Sequence, residues 1–138
     1  MRVIDDLDYD EIKEFVMEHG KEVYVGDWDD FDSYINYFAR QKRIYILRDK
    51  KDRILGVSCL NNVDSLDFLM HDRLPIDNPE GYIVYVHGLV IHKRVRGRNI
   101  MSIMLRYWLK AFPQIKFVVF KRHARDGKYK MIPVKKLL

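Results

Sequence analysis

The chain has 138 residues, 25 of them Lys or Arg against 20 Asp or Glu, with 48% apolar residues and a mean hydropathy of −0.32. That length supports one hydrophobic core and excludes two, so residues 1–138 are read as a single domain. No apolar run reaches the roughly 18 residues of a spanning helix, and the lone Cys59 excludes an internal disulfide and a cysteine cluster for zinc. A cytoplasmic, reducing location without a membrane partner is expected.

Met1 to Asp6 reads as a short first strand (RVI), and its acidic character is unlike a signal peptide. Asp8 opens Asp-Tyr-Asp-Glu, the spacing of a capping box with Glu11. Ile12, Phe15 and Val16 follow at helical spacing, and Gly20 closes the helix. A second helix starts near Asp29 or Asp30, with Phe31, Tyr34, Ile35 and Phe38 on one stripe. RIYILR and ILGVSCL are two strands of a hairpin turned at Asp49 to Asp52, with Cys59 a small buried residue of the second. Asn61 to Gly81 is polar and proline-bearing. It reads as a loop with one helical turn, a natural place to meet a substrate.

Ile83 to Phe112 is the most informative stretch: an apolar strand (IVYVHGLVI), a cationic turn (HKRVRGRN) and a helix (IMSIMLRYWLKAF) stopped by Pro113. Ile100, Ile103, Met104, Tyr107, Trp108 and Ala111 recur at three and four, so that face is expected to pack on a sheet. First-turn amides of a helix have no intrahelical acceptor, and the helix dipole adds partial positive charge. Lys93, Arg94, Arg96 and Arg98 surround the same point, which suits a pyrophosphate. KFVVFKR is a further strand, Arg125-Asp126-Gly127 a hairpin turn, and KYKMIPV the returning strand.

Charge is unevenly spread. Ile91 to Leu138 holds 14 Lys and Arg and one acid, Asp126, so this stretch carries +13 and the remainder −8. A polyanion opposite the basic part would explain this: a cofactor with several phosphates, a nucleic acid or an acidic protein. His19, His71, His87, His92 and His123 show no paired ligand spacing, so no metal is expected.

This order of elements, with its basic glycine turn, resembles the GNAT superfamily of N-acetyltransferases. The family motif is Arg/Gln-x-x-Gly-x-Gly/Ala. In one register it falls on Arg96-Gly97-Arg98-Asn99-Ile100-Met101; in the other it runs from Arg94 to Asn99 and keeps Gly97 as its first glycine. The first is preferred, because Met104, Leu105 and Trp108 then fall where the helix packs, and Asn tolerates left-handed backbone angles.

The resemblance implies an α/β (α+β) fold, with a mixed, mostly antiparallel central sheet flanked by helices. It implies acetyl-CoA as co-substrate and an N-acetyltransferase in which the acceptor amine attacks the thioester directly. Leu89, Val90 and Ile91 would pair with the pantetheine arm beside a bulge at Gly88. Arg96, Gly97, Arg98, Asn99, Ile100 and Met101 would hold the diphosphate.

His87 is the candidate general base, with Tyr85 holding a water, and Glu80, Asp77 and Asp72 are alternative carboxylates. Many family members continue with a helix bearing a tyrosine general acid, for which the remaining residues leave no room. Tyr129 is the phenol available, and a homodimer is one way to complete the C-terminal arm. The acceptor is an amine of a protein or small molecule. Two other readings stay open: a catalytically silent GNAT-like binding protein, and a nucleic-acid module using Lys121, Arg122, His123, Arg125, Lys128 and Lys130 around Tyr129.

Overall fold

A computed structural model describes residues 2–3, 8–20, 31–41, 43–71, 75–121 and 128–136. Strand β1 (Arg2–Val3) precedes helices α1 (Tyr9–His19) and α2 (Phe31–Arg40). A hairpin of β2 (Ile44–Arg48) and β3 (Ile54–Val63) follows, then a single helical turn α3 (Asp67–Met70). Next come β4 (Ile83–Ile91), α4 (Ile100–Ala111), β5 (Phe117–Lys121) and β6 (Tyr129–Pro133). The strands form one sheet in the order β1-β2-β3-β4-β5-β6, antiparallel throughout except for the parallel pair β4 and β5. This is the mixed, mostly antiparallel α+β architecture expected from the sequence. Among the described residues no helix is long and apolar enough to cross a membrane.

Local signals set most boundaries. Asp8 caps α1 by accepting the Glu11 N–H (3.0 Å). Only half of the capping box forms, because the Glu11 carboxylate turns to Arg48 of β2 at 2.8 Å. Gly20 ends the helix, and a Cβ there would lie 2.5 Å from the Val90 side chain. The glycine lets α1 dock directly on β4. The hairpin turn closes as expected: Asp49 accepts the N–H groups of Lys51 and Arg53, and Asp52 takes a positive φ of 64°.

Helices cover both faces of the sheet. Ile12, Phe15 and Val16 of α1 and Ile35 and Phe38 of α2 pack with Ile44, Ile46, Val57, Cys59 and Val90 on one face. On the other, Leu105 and Trp108 of α4 pack with Tyr45, Leu60, Val84, Val86 and Val118. Each fully buried aliphatic or aromatic side chain stabilises the fold by about 1.5–3 kcal/mol. The helix stripe expected for α4 is rotated. Leu105 is buried beside Ile100, Met104 and Trp108, whereas Tyr107 is 51% exposed and Ala111 also faces solvent. Spacing alone cannot fix which edge of an apolar stripe meets the sheet, because Ile103, Leu105 and Tyr107 all border it.

The loop expected from Asn61 to Gly81 begins later, because β3 runs on to Val63. Asn61 and Asn62 are fully buried. A network takes up part of their polarity, while Asn61 Oδ1 and Asn62 Nδ2 are buried without a hydrogen-bond partner. Asp77 accepts from the Asn62 backbone N–H (2.9 Å) and pairs with Arg43 at 2.7 Å, Asn61 Nδ2 donates to Gln41 (3.1 Å), and Trp108 Nε1 donates to Asn62 Oδ1 (2.8 Å). Arg43 also lies over the Trp108 and Phe112 rings. Two adjacent asparagines look like loop residues until the groups that reach them are placed. The single helical turn expected in this region is α3.

Candidate functional site at the free end of β4

Strand β4 has two halves with different neighbours. Ile83 to Val86 lies between β3 and β5, paired with Phe117 to Phe120 of β5. From His87 onward the pairing with β5 stops, while pairing with β3 continues to Ile91. The register against β3 shifts at the same point. Leu60 faces Val86 and Cys59 faces Gly88, so His87 is the extra residue of a bulge. The bulge expected at Gly88 is therefore there, with His87 as its inserted residue.

The bulge reverses which side chains meet which layer. Val84 and Val86 before it, and Leu89 after it, contact the α4 side. Tyr85 and His87 meet the opposite side, where Phe38 of α2 lies 5.2 Å from His87, ring to ring. Among the described residues, β4 beyond Val86 thus has an edge without a β5 partner, the requirement for an extended ligand to add as a strand.

The strand leads into the cationic turn. His92 ends β4 and caps a 3-10 turn (Lys93–Val95), its Nδ1 accepting the Arg94 N–H at 3.1 Å. Gly97 has φ +82°, and a Cβ there would meet nothing within 4 Å, so glycine is required by backbone angle and not by space. Asn99 is left-handed (φ 59°, ψ 30°), and α4 begins at Ile100. The N–H groups of Ile100, Met101 and Ser102 thus precede any intrahelical acceptor, and no acid stands in the first turn of α4.

Lys93, Arg94 and Arg98 are exposed around this turn. Arg96 acts differently. Its Nε donates to Ile91 O at 3.2 Å and its Nη2 to His19 O, fastening the turn to β4 and α1. Met101 packs against the core cluster that includes Val86 and Leu105, and lines a small apolar pocket with Leu60, Leu89 and Met104. Its side chain is taken up by the core, so the methionine in the family's second glycine position does not plug the turn. The buried positions Ile100, Met104, Leu105 and Trp108 follow the first motif register. The second would put exposed Arg106 at a packing position.

On the α2 side, three residues singled out from the sequence lie together. Tyr85 is 4% exposed, its ring edge-to-face with His87 at 5.6 Å and with Phe68 of α3 at 5.0 Å. The Tyr129 ring of β6 lies 6.2 Å away. Burial, and then the neighbouring Tyr129, raise the Tyr85 pKa far above the ordinary phenol range, so Tyr85 stays neutral. Tyr129 itself is 47% exposed.

Of the alternative carboxylates, Asp77 is held by Arg43, Glu80 is exposed, and Asp72 lies outside the described residues. So do residues 122–127 of the basic arm; Lys128 and Lys130 are exposed. Sequence reasoning missed His19, Arg43, Asn61 and Asn62. Each matters through a partner distant in sequence, and only the fold supplies that partner.

A family model described as "Acetyltransferase (GNAT) family" matches residues 9–125. No curated protein matches. Among solved structures, a Staphylococcus aureus Mu50 protein assigned as an acetyltransferase superposes with a TM-score of 0.54 at 20% identity, over 85% of this chain and 75% of that one. AtaT complexed with acetyl-methionyl-tRNAfMet gives 0.52 at 15% identity, over 98% and 94%. The GNAT-like decarboxylase GphF, in complex with isobutyryl-CoA, gives 0.40 at 20% identity over 59% of this chain, which spans only 45% of its length. The family match covers most of the chain, including the bulged strand, the left-handed turn and the helix it opens: this protein is a member of the GNAT acetyltransferase family.

Proposed function

We propose that the protein is an acyl-CoA-dependent N-acyltransferase using acetyl-CoA. The observation that carries this reading is the coincidence, in nine residues of β4, of a bulge, a lost β5 partner and an adjoining left-handed turn that opens α4. The N–H groups of Ile100 to Ser102, with Lys93, Arg94 and Arg98 around them, fit a diphosphate. Gly97 and Asn99 hold the backbone in the shape that presents them, and Arg96 anchors it. The free edge of β4 from Leu89 to Ile91, including Val90, fits an amide-bearing arm. When bound, the co-substrate supplies an activated acyl thioester.

The residues around the bulge divide the remaining work. His87, the inserted residue of the bulge, accepts the proton of the attacking amine. Tyr85, kept neutral, stands beside Tyr129, and Tyr129 offers its proton to the leaving thiolate.

A second reading concerns the acceptor. The +13 of residues 91–138 favours an amine carried on a nucleic acid over a free small molecule, and the likeness to AtaT with its tRNA ligand over nearly the whole chain supports an aminoacyl-tRNA.

Thermal melting with acetyl-CoA tests the cofactor, and acetyl transfer to aminoacyl-tRNA, a basic peptide and a polyamine tests the acceptor. A raised melting temperature and transfer to one acceptor class are expected. A shift without transfer to any of them identifies a silent binding protein. No shift at millimolar acetyl-CoA removes the proposal.

A further inference from the structure

Residues 93, 94 and 96 of the phosphate turn are each tied to one of two stacked histidines. His19, in the last turn of α1, is 5% exposed. Its Nδ1 accepts the Lys93 N–H at 3.1 Å and its carbonyl accepts from Arg96 Nη2. The His92 Nδ1 accepts the Arg94 N–H at 3.1 Å. The two imidazoles lie 4.0 Å apart, tilted by 34°, with Phe15 4.8 Å from His19 on α1.

We infer that His19 is a positioning residue for cofactor binding, and that with His92 it forms a latch holding the phosphate turn in shape only while the His19 imidazole is neutral. The inference rests on the reading of that turn as a diphosphate site. An imidazole that accepts at Nδ1 carries its proton on Nε2. A second proton, on Nδ1, would convert the acceptor into a donor aimed at a backbone N–H.

The neighbouring charges favour the neutral form. Facing His19 are Lys93, Arg96 and His92 from the turn, and Glu18 from α1, 3.7 Å from Nε2 but with a side chain 68% exposed and so screened by solvent. Burial, then the neighbouring His92, lower the His19 pKa below the ordinary histidine value. Protonating it places a third positive group beside Lys93 and Arg96, and the turn loses its link to α1. Cofactor affinity is therefore coupled to proton release from the latch.

The test titrates coenzyme A calorimetrically into wild type, His19→Ala and His19→Asn between pH 7.5 and 5.5. Imidazole nitrogen shifts of the unliganded wild type are read in parallel. Wild-type affinity should fall toward pH 5.5, by less than the about tenfold that a histidine at its ordinary value would give, because the His19 pKa is lowered. His19→Ala should bind weakly throughout. His19→Asn should recover most of that loss at pH 7.5 and lie flatter toward pH 5.5, since its Oδ1 accepts the Lys93 N–H but does not titrate.

The ligand's own titration is common to all three proteins and cancels. A His19→Asn profile as steep as wild type overturns the latch, as does an unliganded His19 with its proton on Nδ1 at neutral pH. If no protein binds coenzyme A at any pH, yet the Lys93 and Arg94 amides titrate together with His19, the latch stands and the diphosphate reading falls.

Discussion

The two halves of β4 differ in one respect, the presence of a neighbour, and from it follows the division between scaffold and site. Ile83 to Val86 is clamped between β3 and β5 and covered by α3 on one face and α4 on the other. His87 to Ile91 keeps β3 but leaves β5 behind, at the residue where a bulge adds twist. The same strand supplies core on one side of His87 and an edge with ligand-binding capacity on the other. Tyr85 apart, substitutions around the first half should therefore act on stability, and those around the second on ligand binding and turnover.

Trp108 tests the first half most severely. It is 1% exposed, edge-on to Tyr45 and bonded to Asn62, so Trp108→Ala should cost about 3–5 kcal/mol in denaturant unfolding. A loss below about 1 kcal/mol would mean the α4 core carries little of the fold. His87→Ala belongs to the other half. Turnover should drop by about a hundredfold or more, with acetyl-CoA affinity and melting temperature near wild type. Unchanged turnover would remove His87 from the chemistry.

Gly97→Asp sits between these extremes. The left-handed angle makes any side chain unfavourable by about 1–2 kcal/mol, and the added carboxylate opposes a diphosphate. The melting shift given by acetyl-CoA should vanish while the protein still folds.

Smaller effects sharpen the same contrast. Because the His19 pKa is lowered in the folded chain, the unfolded chain binds the proton more readily. Its contribution to stability is complete above the ordinary histidine value near 6.5 and declines as the pH falls through and below it. The melting temperature of wild type should drop on acidification more than that of His19→Asn. Asn99→Gly should be the mildest change, within about 0.5 kcal/mol, because glycine accepts the same left-handed angle. A large loss there would show that the Asn99 side chain matters in its own right.

The sequence made the second half of β4 more legible than the region that surrounds it. A glycine inside an apolar strand marked the bulge to within one residue. A cationic turn before an apolar helix marked the loop that opens α4, and Asn99 was readable as a left-handed residue. These signals are local, so they survive without coordinates.

What escaped depended on distant partners. The part of Arg96 in fastening the turn was hidden because its acceptors, Ile91 O and His19 O, lie five and 77 residues away. Asn61 and Asn62 looked like loop because Asp77, Gln41 and Trp108 reach them only in the folded chain. Tyr107 looked buried because its spacing matched the stripe, while the sheet actually meets Leu105. Tyr85 and Tyr129 were chosen on separate strands, and it is the β4-β5-β6 order that brings their rings together.

The central claim is that the open half of β4 and its left-handed turn hold a diphosphate-bearing acyl carrier. Calorimetric titration of acetyl-CoA into wild type and Gly97→Asp tests it directly. One-to-one binding to wild type and its loss in the variant is the predicted result. Absence of binding to wild type, or equal binding to both proteins, would contradict it.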